Sequence, residues 1–156
     1  MNKNLILTGW SKNEYLAGAA AALAALKGKA DVAGVSMDAL AGALAERGPK
    51  YSAVYVLGVG LTKNIPQILA ALRLLKTKRV KTVWLSGMRV APEFAAEVCI
   101  EGEDPAKRGF DELFDEPCDS LVEAIARYFG TIDNGDVRFF RSCEHPASDQ
   151  IGRAHV

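Results

Sequence analysis

Apolar residues arrive along this chain in short blocks separated by polar turns, and the blocks alternate between two periods. Leu5–Thr8 is a compact apolar run closed by Gly9, the pattern of a buried strand. Glu14–Lys27 (EYLAGAAAALAALK) consists of strong helix formers, and Gly28 supplies a stop. Its many alanines suit a helix lying close against a sheet. Asp31–Ser36 (DVAGVS) predicts a second strand, with Ser36 or Asp38 placed to cap a helix over Ala39–Arg47 that ends at Gly48-Pro49. Tyr51–Leu57 (YSAVYVL) is a β-branched and aromatic strand running into Gly58-Val59-Gly60. Asn64–Lys76 predicts a third helix with Pro66 in its first turn, where a missing N–H costs little. Val80–Leu85 predicts a fourth strand.

Strands that are apolar on both faces, alternating with helices through short connections, belong to a parallel sheet covered on two sides. The fold expected is a doubly wound, three-layer α/β/α sandwich with right-handed crossovers. Beyond Met88 the pattern loosens. Pro92–Val98 reads as a short helix and Glu101–Arg108 as a polar loop. Phe110–Phe114 alternates like a strand entering a turn at Asp115–Pro117. Cys118–Phe129 has helical spacing at Leu121, Val122, Ile125, Ala126 and Phe129, with Gly130 ending it. Val137–Phe140 reads as a further strand, and the tail from Ser142 carries no period. The chain is expected to form one domain over residues 1–156, patterned clearly to about residue 130.

Composition narrows the function classes. Nineteen basic and nineteen acidic residues cancel, so net charge supports no nucleic-acid partner. The basic run KTKRVK (Lys76–Lys81) spans a helix end and the next strand, where cations complement the helix dipole. Cys99, Cys118 and Cys143 are odd in number and widely spaced, and the two histidines, His145 and His155, lie near the end. That pattern speaks against a disulfide framework or a structural zinc site, and for a reducing compartment. No apolar run has the length of a membrane span. A cytoplasmic protein with no membrane contact is expected.

In a sheet of this type the turns after the strands form the crevice where ligands bind. Three turns therefore hold the candidate residues. The first, Gly9–Glu14, offers Ser11, Lys12 and Asn13, with Ser11 or Asn13 as an N-cap and Trp10 able to stack on a ligand or cover the sheet end. The second, after Tyr51–Leu57, offers Gly58, Gly60, Thr62 and Lys63 as a phosphate-sized turn before a helix, without the third glycine of a dinucleotide fingerprint or a following GK[ST]. The third offers Ser86, Gly87 and Arg89. A nucleophilic Ser86 would need a base that the sequence does not place beside it. Cys118 at a helix start would have its thiolate favoured by the dipole, although a structural role is the simpler reading. The acidic residues Asp111, Glu112, Asp115, Glu116 and Asp119 read as a carboxylate-rich helix start rather than a metal site.

The order of these segments resembles the N-terminal domain of the DHH phosphoesterase superfamily, which includes RecJ-like nucleases and exopolyphosphatase-related proteins. TGWSKNEYLAGAAAALAAL, VYVLGVGLTKN, VKTVWLSGM and FDELFDEPCDSLVEAIARYFG carry the resemblance, which spans about Leu5 to Gly130. In that family the first three segments supply His and Asp side chains that hold two manganese or magnesium ions. Where the family has His, Asp and Asp, this chain has Gly9, Ser11 and Asn13. Gly58 replaces an Asp, and Ser86, Gly87 and Met88 replace Asp, His and His. A two-metal mechanism needs several anionic or imidazole ligands together. The resemblance therefore implies the scaffold without the metal chemistry: no catalytic residues, no metal cofactor, and a role in binding or assembly. The ligand expected is an anionic small molecule or phosphate, with a homodimer or a protein partner as further occupants of the exposed edge. A divergent metal-dependent phosphoesterase is the second reading. It would require Asp111–Asp119, Glu14 and His145 to converge on the crevice. A nucleotide-binding α/β domain unrelated to phosphoesterases, using Gly58–Lys63, is the third.

Overall fold

A computed structural model describes residues 3–59, 64–86, 109–114, 118, 120–130 and 135–144, with the side chains of 135–137 excepted. The helix expected over Pro92–Val98, the loop Glu101–Arg108 and the turn Asp115–Pro117 lie outside the described residues.

Among the described residues, five strands form one all-parallel sheet: β1 (Asn4–Thr8), β2 (Ala30–Gly34), β3 (Ala53–Leu57), β4 (Lys81–Leu85) and β5 (Glu112–Phe114). Their order across the sheet is β2-β1-β3-β4-β5. The helices are α1 (Asn13–Ala25), α2 (Leu40–Arg47), α3 (Ile65–Thr77), α4 (Leu121–Phe129) and α5 (Gly135–Glu144). This is the doubly wound three-layer α/β/α sandwich that the alternating pattern predicts.

The pleat sorts the strands' side chains into two cores. Leu5, Leu7, Val54, Val56 and Trp84 face α2 and α3, joined by Leu40, Leu44, Ile68, Leu72, Leu75 and Phe110. Ile6, Tyr55, Leu57, Val83 and Leu85 face the opposite way, toward α1 and α4. There the alanines Ala17, Ala19, Ala21 and Ala22 are buried, as the close helix–sheet approach requires. Gly18 lets α4 come equally near α1, because a Cβ there would stand 2.7 Å from Leu121 Cδ2.

Neither Ser36 nor Asp38 caps α2: its N-cap is Ala39, with no side-chain cap, and Ser36 Oγ accepts from Ala39 N at 3.2 Å in the turn before it. Other local signals act as the sequence predicts. Pro66 sits in the first turn of α3, after Asn64 in a left-handed conformation. Gly130 closes α4 at φ 76°. Two further expectations are corrected. Lys12, not Ser11 or Asn13, occupies the N-cap of α1, and no side chain caps it; its carbonyl accepts from Tyr15 N at 3.1 Å. The extended residue falls one place after Ser11, so neither polar side chain is in register to reach the first free N–H groups. The second of these is Val137–Phe140, which lies within helix α5 and not in a strand. A four-residue apolar run fits either period. Packing settles it: α5 rests on α1 and α4, Phe140 joins the α1-side core, and Glu144 Oε1 accepts from Val122 N at 3.1 Å.

Three tyrosines are held protonated beyond their ordinary range. Burial is the main cause for Tyr128, reinforced by its hydrogen bond to Glu112. Burial also dominates at Tyr55, with Lys81 opposing and Glu112 adding. At Tyr51 the 2.6 Å hydrogen bond to Asp31 leads. A folded-state pKa above the unfolded value of about 10 means that the unfolded chain loses its protons first, so stability falls as pH rises past that point. The urea midpoint is expected to drop between about pH 9 and about pH 11, and Tyr128→Phe should flatten the drop. An unchanged slope in that variant would remove Tyr128 from the account.

Candidate functional site

The strand order reverses between β1 and β3: the chain leaves β1 toward β2 on one side and reaches β3 on the other. The crevice of an open α/β sheet forms at such a point, outside the carboxyl ends of the strands. A hollow of about 320 Å³ lies there, lined by Gly9, Trp10, Ser11, Tyr15, Val35, Ser36, Met37, Gly58 and Val59. These residues come from the turns after β1, β2 and β3 and, for Tyr15, from the first turn of α1, so sheet pairing brings three distant segments together.

Tyr15 organises the site. Its ring stands between Gly9 and Gly58: a Cβ on Gly9 would be 2.7 Å from Cδ2, and one on Gly58 would be 3.0 Å from Cδ1 and Cε1. Gly58 also has φ +65°, a conformation other residues resist. Below the ring, Thr8 Oγ1 donates to Tyr15 O at 3.3 Å. Lys12 Nζ lies 5.9 Å from the ring centroid, within cation–π range. From the α3 side, buried Trp84 donates its Nε1–H to Val59 O at 3.2 Å and so steadies the second turn.

Of the residues proposed from sequence, Ser11 and Gly58 line this crevice and Lys12 stands at its rim. Asn13 begins α1 and faces a different hollow, shared with Leu16, Ala17, Ala20, Phe139, Phe140 and Cys143. Ser86 follows β4, and its backbone N–H donates to Phe114 O at 3.0 Å. Gly60, Thr62, Lys63, Gly87 and Arg89 lie outside the described residues, as does Met88. Cys118 precedes the α4 N-cap by two positions, away from the first helical turn, because Ser120 takes that place and accepts from Glu123 N at 3.0 Å. The Ser120-x-x-Glu123 spacing was the available signal for this start.

The sequence reading missed Tyr15, Val35, Met37 and Val59. Their signal was indirect: glycines closing two neighbouring strands leave room for a large side chain beside them, and Tyr15 is the nearest aromatic ring on the following helix.

Of the acidic segment, Asp111 and Glu112 are placed elsewhere, while Asp115, Glu116, Asp119 and His145 lie outside the described residues. Asp111 Oδ2 accepts from Thr82 N at 2.8 Å, and Asp111 Oδ1 pairs with Lys76 Nζ at 2.7 Å. Glu112 pairs with Lys81 and accepts from Tyr128. Asp111 therefore sits beside Thr82 and Glu112 opposite Val83, about 10–13 Å along β4 from Ser86 at 3.3 Å per residue. They neutralise the ends of the basic run Lys76–Lys81 instead of meeting Glu14 in the crevice.

Among the described residues, no three His, Cys, Asp or Glu side chains are grouped to hold a metal ion. The described residues Gly9, Ser11, Asn13, Gly58 and Ser86 at the strand ends carry no carboxylate or imidazole, and the Tyr15 ring stands between Gly9 and Gly58. No helix of the described residues is long and apolar enough to cross a membrane. No protein-family model matches the chain, and no match is found among curated proteins.

Proposed function

We propose that this chain is a non-catalytic, DHH-like α/β domain that binds a small anionic ligand at the crevice between β1 and β3. The observation that carries the reading is the Tyr15 ring, which occupies the volume that side chains at Gly9 and Gly58 would need. A metal-dependent phosphoesterase would place its ligands there, so the geometry favours binding over turnover. The anionic character rests on the rim. Lys12 is exposed, and α1 begins beside it without a side-chain cap, leaving a helix N-terminus open to a negative group.

Calorimetric titration of metal-free protein with manganese and with inorganic phosphate, alongside an assay on a generic phosphodiester, tests this directly. Phosphate binding that weakens in Lys12→Ala is expected, without paired manganese sites and without turnover. Tight uptake of two manganese ions together with hydrolysis would overturn the proposal.

A further inference from the structure

The crevice holds two aromatic rings of different character. Tyr15 is the floor. Trp10 is the wall, and it is 65% exposed, against 7% for the other indole, Trp84. An exposed tryptophan alone says little, since single apolar side chains are common on surfaces. Here, however, the ring is seated. A Cβ on Gly34 of the edge strand β2 would stand 3.0 Å from Trp10 Cδ1 and 3.1 Å from its Cβ and Cγ. The indole rests on bare backbone at a position where any other residue would push it away.

Gly9, Gly34 and Gly58 thus make room for two rings, one deep and one exposed, at the same crevice. Between them the lining is Val35, Met37 and Val59, with the hydroxyl-bearing Ser11 and Ser36 at the margin. Met37 contributes a polarizable thioether of the kind that packs against ring edges. Among the described residues, no charged side chain lines the hollow itself. Its volume of about 320 Å³ is at the small end for ligand sites, enough for one ring system with a modest substituent.

From this arrangement we infer that the crevice holds a flat, uncharged heteroaromatic ring stacked on Trp10, and that this contact does not depend on phosphate. The inference rests on the crevice being the binding site, as proposed above, and it names the other half of the ligand: the anionic group meets the rim at Lys12 while the ring enters the apolar hollow.

Calorimetry with adenosine and riboflavin, both free of phosphate, separates the two halves, with inorganic phosphate as a parallel arm. One of the ring compounds is expected to bind the wild-type chain. Trp10→Ala should weaken it on the order of tenfold, in keeping with the worth of one ring stacked on an aromatic side chain, while Trp10→Phe retains most of the affinity. Because Trp10 is exposed, both variants are expected to keep the wild-type circular dichroism spectrum. Absence of binding by both ring compounds, or ring binding equal in wild type and Trp10→Ala, would overturn the inference. Phosphate binding that persists in that case would leave the crevice reading standing.

Discussion

Phe110→Ala is expected to lower the stability of the fold by about 3–5 kcal/mol, the range for removing a fully buried phenylalanine. The ring is 1% exposed and belongs to the core facing α2 and α3, with Trp84, Leu72, Leu75 and Val80. Its loss removes burial and leaves a cavity that the surrounding strand and helix cannot fill. The effect reaches further than the ring. Phe110 precedes Asp111, whose carboxylate accepts from Thr82 N and pairs with Lys76, and that residue leads directly into β5. A domain with about 5–15 kcal/mol in total has little to spare for such a loss. Urea unfolding followed by circular dichroism measures it. Phe139→Ala is the control: that ring is exposed on α5, and a change within about 0.5 kcal/mol is expected. A loss below about 1 kcal/mol in Phe110→Ala would mean that β5 is not anchored through this core.

The second large effect concerns the crevice floor. Gly9→Ala should cost about 1–3 kcal/mol, because the new methyl meets the Tyr15 ring and forces it from its seat. Gly58→Ala faces the same ring from the other side and adds roughly 1–2 kcal/mol for a left-handed backbone that alanine resists. The two are separable in a Tyr15→Ala background. With the ring gone, Gly9→Ala should become nearly neutral, whereas Gly58→Ala should retain its backbone part. A double-mutant cycle reads the difference as a coupling energy to Tyr15. Equal behaviour of both glycines in that background would remove the ring from its proposed place. The outcome bears on function as well, since the clash that penalises a methyl group would penalise a metal-ligating side chain at either position.

Much of the architecture was legible along the chain because each signal was local. Leu5–Thr8 and Tyr51–Leu57 are dense in apolar residues over a length too short for a helix and end in glycine. The alanines of α1 declared a helix that must lie close to something flat. Pro66 and Gly130 act through their own backbone or that of the adjacent turn, so their roles did not wait on distant contacts. Short strands between helices then left a parallel sheet as the economical way to bury both faces. The residue types after β1, β3 and β4, namely Gly9, Ser11, Asn13, Gly58 and Ser86, were equally plain, because residue type is a property of the chain alone.

Other features arise from contacts between segments far apart. Val137–Phe140 carries no period of its own, and it became helical because α1 and α4 together offer a surface that a helix can cover. The acidic residues Asp111 and Glu112 read as part of a carboxylate-rich helix start, whereas the register of β5 against β4 sets them beside Lys76 and Lys81. Tyr15 gained its role from Gly9 and Gly58, and Trp10 from Gly34, through approaches of about 3 Å between residues up to 43 positions apart. Local propensity acts within a few residues and sets the elements. Register and close packing act across the whole chain, and they alone place side chains with the precision that a binding site needs.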